Sequence, residues 1–337
     1  MAEREVNMRR ITKRRLSSLL CAVLMLITSI DVAAFAAGSD ASKRKIDVWD
    51  IGTVQEADTD KYNNHITAAD WENCDNVSKD GKFVAGETTF GDLTINHNAN
   101  DRLFSTSSKN YGTNALATTA YDDGYTAGGM YYCNGTGGET RRNVTINNVI
   151  AGDKIVVYMA SSNAATGTLV FKYLGEDNEQ VEKASFTNKG TKYEFVAKYS
   201  GSYKVYTDAA AGKPIYNRIV RIPGVAVSGT IDGAQLSGYK VMFKDEANGI
   251  TYDADIKGNT FTATLAAGCN YTAVLSGVAG YGFSNATKNI STTVDEALTG
   301  KSGVTLSIEE KKVYTYTGKV TGFAADYDTS NLSVKLV

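Results

Sequence analysis

Short segments in which apolar and polar residues alternate, the period of a β-strand, dominate the chain after residue 40. Segment 143–146 alternates, a turn signal follows at Gly152-Asp153, and alternation resumes from Ile155 to Met159. This spacing predicts a β-hairpin. Many further segments of the same kind, separated by turn residues, predict an all-β fold built as a β-sandwich.

One short helix interrupts the β pattern. Thr67 precedes the segment 68–74, and Asp70 stands three residues after Thr67, which is the arrangement of a capping box. Trp71 lies on this predicted helix, and Trp49 lies in an alternating segment that has the pattern of a strand. We expect both tryptophans to be packing residues of the core.

A second alternating pattern begins after Pro223, and its extent predicts a smaller sandwich over 225–310. Residues 317–322 repeat the opening of that unit at 228–233, which marks an internal repeat. The segment 312–337 is therefore a partial second copy. Because a partial sandwich cannot bury its own apolar faces, we expect the natural chain to continue beyond it.

The first block of the chain has the pattern of a signal peptide. Basic residues precede an apolar run from Leu16 to Ile30, and small residues end at Ala36. The run is shorter than the roughly 20 residues that span a bilayer, so we expect cleavage of residues 1–36, a linker at 37–43, and secretion without membrane attachment. The whole chain has a net charge of −2, and the signal removes more basic than acidic residues. General nucleic-acid binding is therefore not expected.

Few residues suited to catalysis or metal binding remain. His65 and His97 are the two histidines, and they lie in no catalytic motif, so no catalytic residue is predicted. Three cysteines remain after the signal, without zinc-ligand spacing. A disulfide between Cys74 and Cys133 and buried free thiols are equally compatible with the sequence. Acidic loop residues could hold a structural Ca²⁺, although no EF-hand spacing identifies ligands.

The segment 96–138 differs from its surroundings, since it is rich in Asn, Asp, Gly and Tyr and alternates weakly. Long loops over a β scaffold commonly carry binding surfaces. Sugar rings stack on tyrosine, and arginine donates hydrogen bonds to their hydroxyl groups. The candidate carbohydrate-binding residues are Arg102, Tyr111, Tyr121, Tyr125, Tyr131, Tyr132, Arg141 and Arg142. The alternative is that about half of these tyrosines fill the sandwich core or stiffen loops.

Several segments carry a family resemblance. The segment Val48-Trp49-Asp50-Ile51-Gly52, together with 62–64, 101–103 and 144–161, resembles the N-terminal sugar-binding-type domain of large secreted bacterial pectinases. These proteins are multidomain pectate lyases and pectin methylesterases. The Ser/Thr-Gly-Xaa-Val/Ile-Xaa-Gly repeats are similar to the small immunoglobulin-like or prealbumin-like spacer domains of the same proteins.

The resemblance implies a jelly-roll-like carbohydrate-binding-type domain over 44–223 and an immunoglobulin-like or prealbumin-like domain over 225–310. It also implies a catalytic parallel β-helix, for which this chain has no pattern of regular coils. No catalytic residue is carried over. The resemblance places Arg102, Tyr131 and Tyr132 in the binding region of the first domain.

The leading hypothesis is a non-catalytic region that binds polysaccharide, pectin in particular, and serves as a spacer in a larger secreted carbohydrate-active enzyme. Its partners would be the polysaccharide and the missing C-terminal domains. One alternative is a structural or adhesive surface protein built of β-sandwich repeats. Another is a lyase in which Tyr131 or Tyr132 acts as base and Arg102 stabilises charge, which requires a strongly lowered tyrosine pKa.

Overall fold

A computed structural model describes residues 44–106, 109–163, 166–208 and 212–311. The predicted signal peptide, the linker and the partial repeat at 312–337 lie outside these ranges. Within these ranges the fold is all-β, with 22 strands arranged in four sheets and, in addition, three short helices. The predicted fold class is confirmed.

Thirteen strands between residues 46 and 222 build the first sandwich. They are β1 (Ile46–Asp50), β2 (Tyr62–Asn64), β3 (Gly86–Phe90), β4 (Leu93–His97), β5 (Arg102–Ser105), β6 (Gly129–Tyr132), β7 (Asn143–Val149), β8 (Lys154–Ser161), β9 (Gly167–Tyr173), β10 (Val181–Phe186), β11 (Thr191–Val196), β12 (Gly201–Asp208) and β13 (Pro214–Ile222). One sheet has the order β11-β8-β13-β1-β2, with β6 also paired to β13 and β5 paired to β6. The other sheet has the order β10-β9-β12-β7-β4-β3.

The core lies between these two sheets and contains both tryptophans, as predicted. Trp49 and Trp71 are fully buried, and their indole N–H groups donate to the carbonyl oxygens of Phe90 and Ile51 at 2.8 and 3.0 Å. Trp71 lies on helix α1 (Ala68–Glu72), whose capping box is confirmed. The Thr67 hydroxyl accepts from the backbone N–H of Asp70, and the Asp70 carboxylate accepts from that of Thr67.

The prediction that β7 and β8 form a hairpin is wrong, because the two strands belong to different sheets. β7 pairs with β4 and β12, whereas β8 pairs with β11 and β13. The turn between them carries the chain from one sheet to the other. Val144 and Ile155 are therefore both buried in the same core, one from each sheet. Alternation predicted each strand but did not specify its partner.

Nine strands from residue 225 onward pair only with one another. They are β14 (Val225–Gly233), β15 (Lys240–Asp245), β16 (Ile250–Asp253), β17 (Asp255–Lys257), β18 (Thr260–Leu265), β19 (Asn270–Ser276), β20 (Tyr281–Phe283), β21 (Asn289–Ser291) and β22 (Lys301–Glu310). They form a five-stranded sheet, β17-β18-β14-β22-β20, and a four-stranded sheet, β16-β15-β19-β21. A short helix α2 (Glu296–Thr299) precedes the last strand.

Candidate functional site

Strands β5 and β6 present alternate side chains to opposite sides of the larger sheet of the first sandwich. Leu103 pairs with Tyr131, and both are fully buried in the core between the sheets. Arg102 pairs with Tyr132, so these two side chains point to the outer face. A small apolar cluster on that face includes Phe104, next to Tyr132. The register of one strand pair thus separates the adjacent tyrosines 131 and 132.

The guanidinium group of Arg102 lies between two tyrosine rings on this outer face. Its central carbon is 4.4 Å from the ring centroid of Tyr111 and 5.8 Å from that of Tyr132. Tyr111 packs edge-on against Phe104 at 4.9 Å, and the amine of Lys82 lies 5.8 Å from the Tyr111 ring. Such cation–π contacts hold the guanidinium in place without using its N–H donors.

A polar group adjoins the hydroxyl end of Tyr132. Its hydroxyl donates to Asn134 Oδ1 at 3.2 Å, and the amine of Lys213 donates to the same oxygen at 3.3 Å. We call Arg102, Tyr111, Tyr132, Asn134 and Lys213 the Arg102 cluster. Lys213 was missed from the sequence because it is distant along the chain and only the pairing of β13 with β6 brings it close.

Tyr131 and Arg142 belong to a buried network beneath the cluster rather than to its surface. The fully buried Asp101 carboxylate accepts from Arg142 Nε at 2.9 Å and from the Tyr131 hydroxyl at 3.1 Å. It also accepts from the backbone N–H of Asn134 at 3.1 Å, so it fixes the loop that follows β6. Burial raises the pKa of Tyr131 well above its usual value, which is the opposite of what a general base requires. Arg141, next to this network, is exposed.

Tyr121 and Tyr125 form a separate cluster away from Arg102. Their rings stack at 5.5 Å, and the guanidinium of Arg218 lies 4.7 Å from the Tyr125 centroid. The Tyr121 hydroxyl donates to Asn217 Oδ1 and that of Tyr125 donates to Asp50 Oδ2, each at 2.7 Å. These two tyrosines therefore anchor the long loop to the sheet, at a place separate from the Arg102 cluster.

Of the two alternatives left open for Cys74 and Cys133, the structure has the free thiols. Cys133 is fully buried beside Tyr131, and Cys74 Sγ lies 3.9 Å from the hydroxyl of Thr88. In the described part of the chain, no three His, Cys, Asp or Glu side chains converge into a possible metal site, so no ligands for a Ca²⁺ ion are identified. No helix among the described residues has the length and apolar character needed to cross a membrane.

The fold defines an all-β chain of two sandwiches with an aromatic and cationic cluster on one outer face. No protein-family model and no curated protein matches the chain. Among solved structures it is similar to an exo-β-1,3-galactanase from Phanerochaete chrysosporium with galactose, at 12% identity and a TM-score of 0.20. The match covers 28% of this chain and 23% of the galactanase chain.

Proposed function

We propose that residues 44–223 bind a pectic polysaccharide through the Arg102 cluster and that residues 225–310 serve as a spacer in a larger secreted carbohydrate-active enzyme. The observation that carries the proposal is the stack of Arg102 between Tyr111 and Tyr132. Tyrosine rings offer apolar faces to the C–H groups of a sugar, while arginine and asparagine donate hydrogen bonds to its oxygens. The cluster combines both kinds of group on the outside of a rigid sheet.

The rigidity of the cluster supports a binding role. Tyr132 is on a strand that pairs on both sides, with β5 and with β13. Asn134 is held through its backbone by the buried Asp101. Because the groups are already fixed before a ligand arrives, binding loses little side-chain entropy. The partly exposed Tyr111 and Arg102 are the members that a sugar chain can reach.

Affinity electrophoresis of the full chain in gels containing pectin, polygalacturonate, xylan or glucan tests the proposal. We expect retardation by the pectic polymers. Replacing Tyr111 or Tyr132 by alanine should weaken retention roughly tenfold, because truncating a stacked aromatic at a binding surface typically costs more than about 1 kcal/mol. Tyr239→Ala, at a half-buried tyrosine of the second sandwich, is the matched control and should leave retention unchanged.

Unchanged mobility of the wild-type chain in every gel would refute polysaccharide binding. Retention that survives both Tyr111→Ala and Tyr132→Ala would instead place the binding surface elsewhere. Thermal unfolding of each variant must be measured alongside, since Tyr132 is mostly buried and its loss also removes packing.

A further inference from the structure

Arg102 differs from the other arginines of the described residues in its partners. Four of those arginines bind a carboxylate; these pairs are Arg44 with Asp153, Arg142 with Asp101, Arg218 with Glu56, and Arg221 with Asp47 and Asp92. Arg141 is exposed. Arg102 is half-buried, yet among the described residues its guanidinium has no carboxylate partner and lies over the rings of Tyr111 and Tyr132.

A half-buried guanidinium without an acceptor presents an open set of donors. Its planar fork fits a carboxylate through two parallel N–H···O bonds, a geometry that lysine cannot provide. The rings of Tyr111 and Tyr132 orient the fork, so a carboxylate can bind without reorganising it. Lys213 lies beside Tyr132 and adds positive charge to this face, whereas the amine of Lys82, near the Tyr111 ring, is paired with the Asp80 carboxylate at 2.7 Å.

We infer that Arg102 binds the ionised carboxylate of a uronic acid residue, with the sugar ring stacked on the partly exposed Tyr111. This inference rests on the proposed function and names the ligand form that the site selects. A neutral sugar of the same backbone would leave the guanidinium without a charged acceptor. Lys213, whose amine shares Asn134 Oδ1 with the Tyr132 hydroxyl, adds a second cation to the same face.

The test compares polygalacturonate with its methyl-esterified form, because esterification neutralises the carboxylate and leaves the sugar backbone unchanged. We expect the full chain to be retained roughly 10- to 100-fold more strongly by the ionised polymer, the range expected of a charge-assisted bidentate contact. Arg102→Gln should abolish this preference. Arg102→Lys, which keeps the charge and loses the fork, should retain only part of it.

Lys240→Gln is the charge-matched control, since Lys240 is exposed on the second sandwich. Equal weakening by Arg102→Gln and Lys240→Gln would show general electrostatic attraction and overturn the inference. Equal retention of the wild type by both polymers would also overturn it while leaving polysaccharide binding intact. Retention by neither polymer would refute the proposed function itself. Arg102→Lys keeps the test valid if Arg102→Gln unfolds.

Discussion

Asp50 combines deep burial with an unusual charge environment. It is 1% exposed, and its carboxylate accepts from the Tyr125 hydroxyl and from the backbone N–H groups of Gly52 and Val54. Burial raises the pKa of Asp50 to about 6, although these hydrogen bonds and the charge of Arg218 oppose the shift. An acid whose pKa is higher in the folded state than in the unfolded chain stabilises the fold when protonated.

The contribution of Asp50 to stability should therefore be complete below about pH 4 and lost as the pH rises through about 6. Asp50→Asn removes this titration. Relative to the wild type, its free energy of unfolding should rise by about 2–3 kcal/mol between pH 4 and pH 8, the equivalent of a shift of about two pKa units. Urea unfolding at several pH values measures this difference.

Asp177→Asn, at an exposed loop position, is the control for the Asp50 measurement and should change the free energy of unfolding by less than about 0.5 kcal/mol. If the difference in free energy of unfolding between Asp50→Asn and the wild type did not change with pH, this would contradict the raised pKa of Asp50. A difference that falls as the pH rises would show that the ionised form is the one stabilised in the fold.

At the residue scale, the sequence predicted the types of residue at the site better than their orientation. Arg102, Tyr111 and Tyr132 were predicted and lie together. Tyr131 was predicted with them, but its register with Leu103 directs it into the core. Neighbouring residues of a strand face opposite sides, so a shift of one residue in register decides whether a side chain lies on the outer face or in the core.

At the scale of secondary-structure elements, the capping box of helix α1 allows a prediction about stability. The Thr67 hydroxyl and the Asp70 carboxylate satisfy each other's backbone N–H groups. Thr67→Ala should lower the free energy of unfolding by about 1 kcal/mol, since it leaves one N–H of the first turn without its partner. Glu72→Ala, at an exposed position of the same helix, should change it by less than about 0.5 kcal/mol. Equal effects of the two substitutions would argue against the capping box.

The helix was predictable because a capping box is a contact between residues three apart in the sequence. The pairing partners of the strands were not predictable from the sequence, as the turn from β7 to β8 illustrates. A turn that returns within a sheet and one that crosses to the opposite sheet join strands of similar sequence pattern, since in both cases each strand packs one face against the core. The choice depends on long-range pairing, here of β7 with β12 and of β8 with β13.

At the scale of the whole molecule, the junction of the two sandwiches is short and tied down. Only Pro223 and Gly224 separate β13 from β14. The fully buried Asp153 carboxylate accepts from the Gly224 backbone N–H at 3.2 Å and from both terminal nitrogens of Arg44 at 2.7 and 2.8 Å. A second ion pair, Lys61 with Asp295 at 2.6 Å, joins the two sandwiches directly.

These two ion pairs should differ greatly in their contribution to the free energy of unfolding. Asp153→Ala should lower the free energy of unfolding by about 3–5 kcal/mol, because it leaves backbone N–H groups at the junction without acceptors and removes the partner of Arg44. Asp295→Ala should cost less than about 1 kcal/mol, since that carboxylate is 83% exposed. Chemical denaturation measures both values, and limited proteolysis should show faster cleavage at the junction in Asp153→Ala alone. Similar losses in the two variants would contradict a junction held by the buried carboxylate. A junction held by exposed ion pairs would loosen at high salt, whereas one held by a buried carboxylate would not.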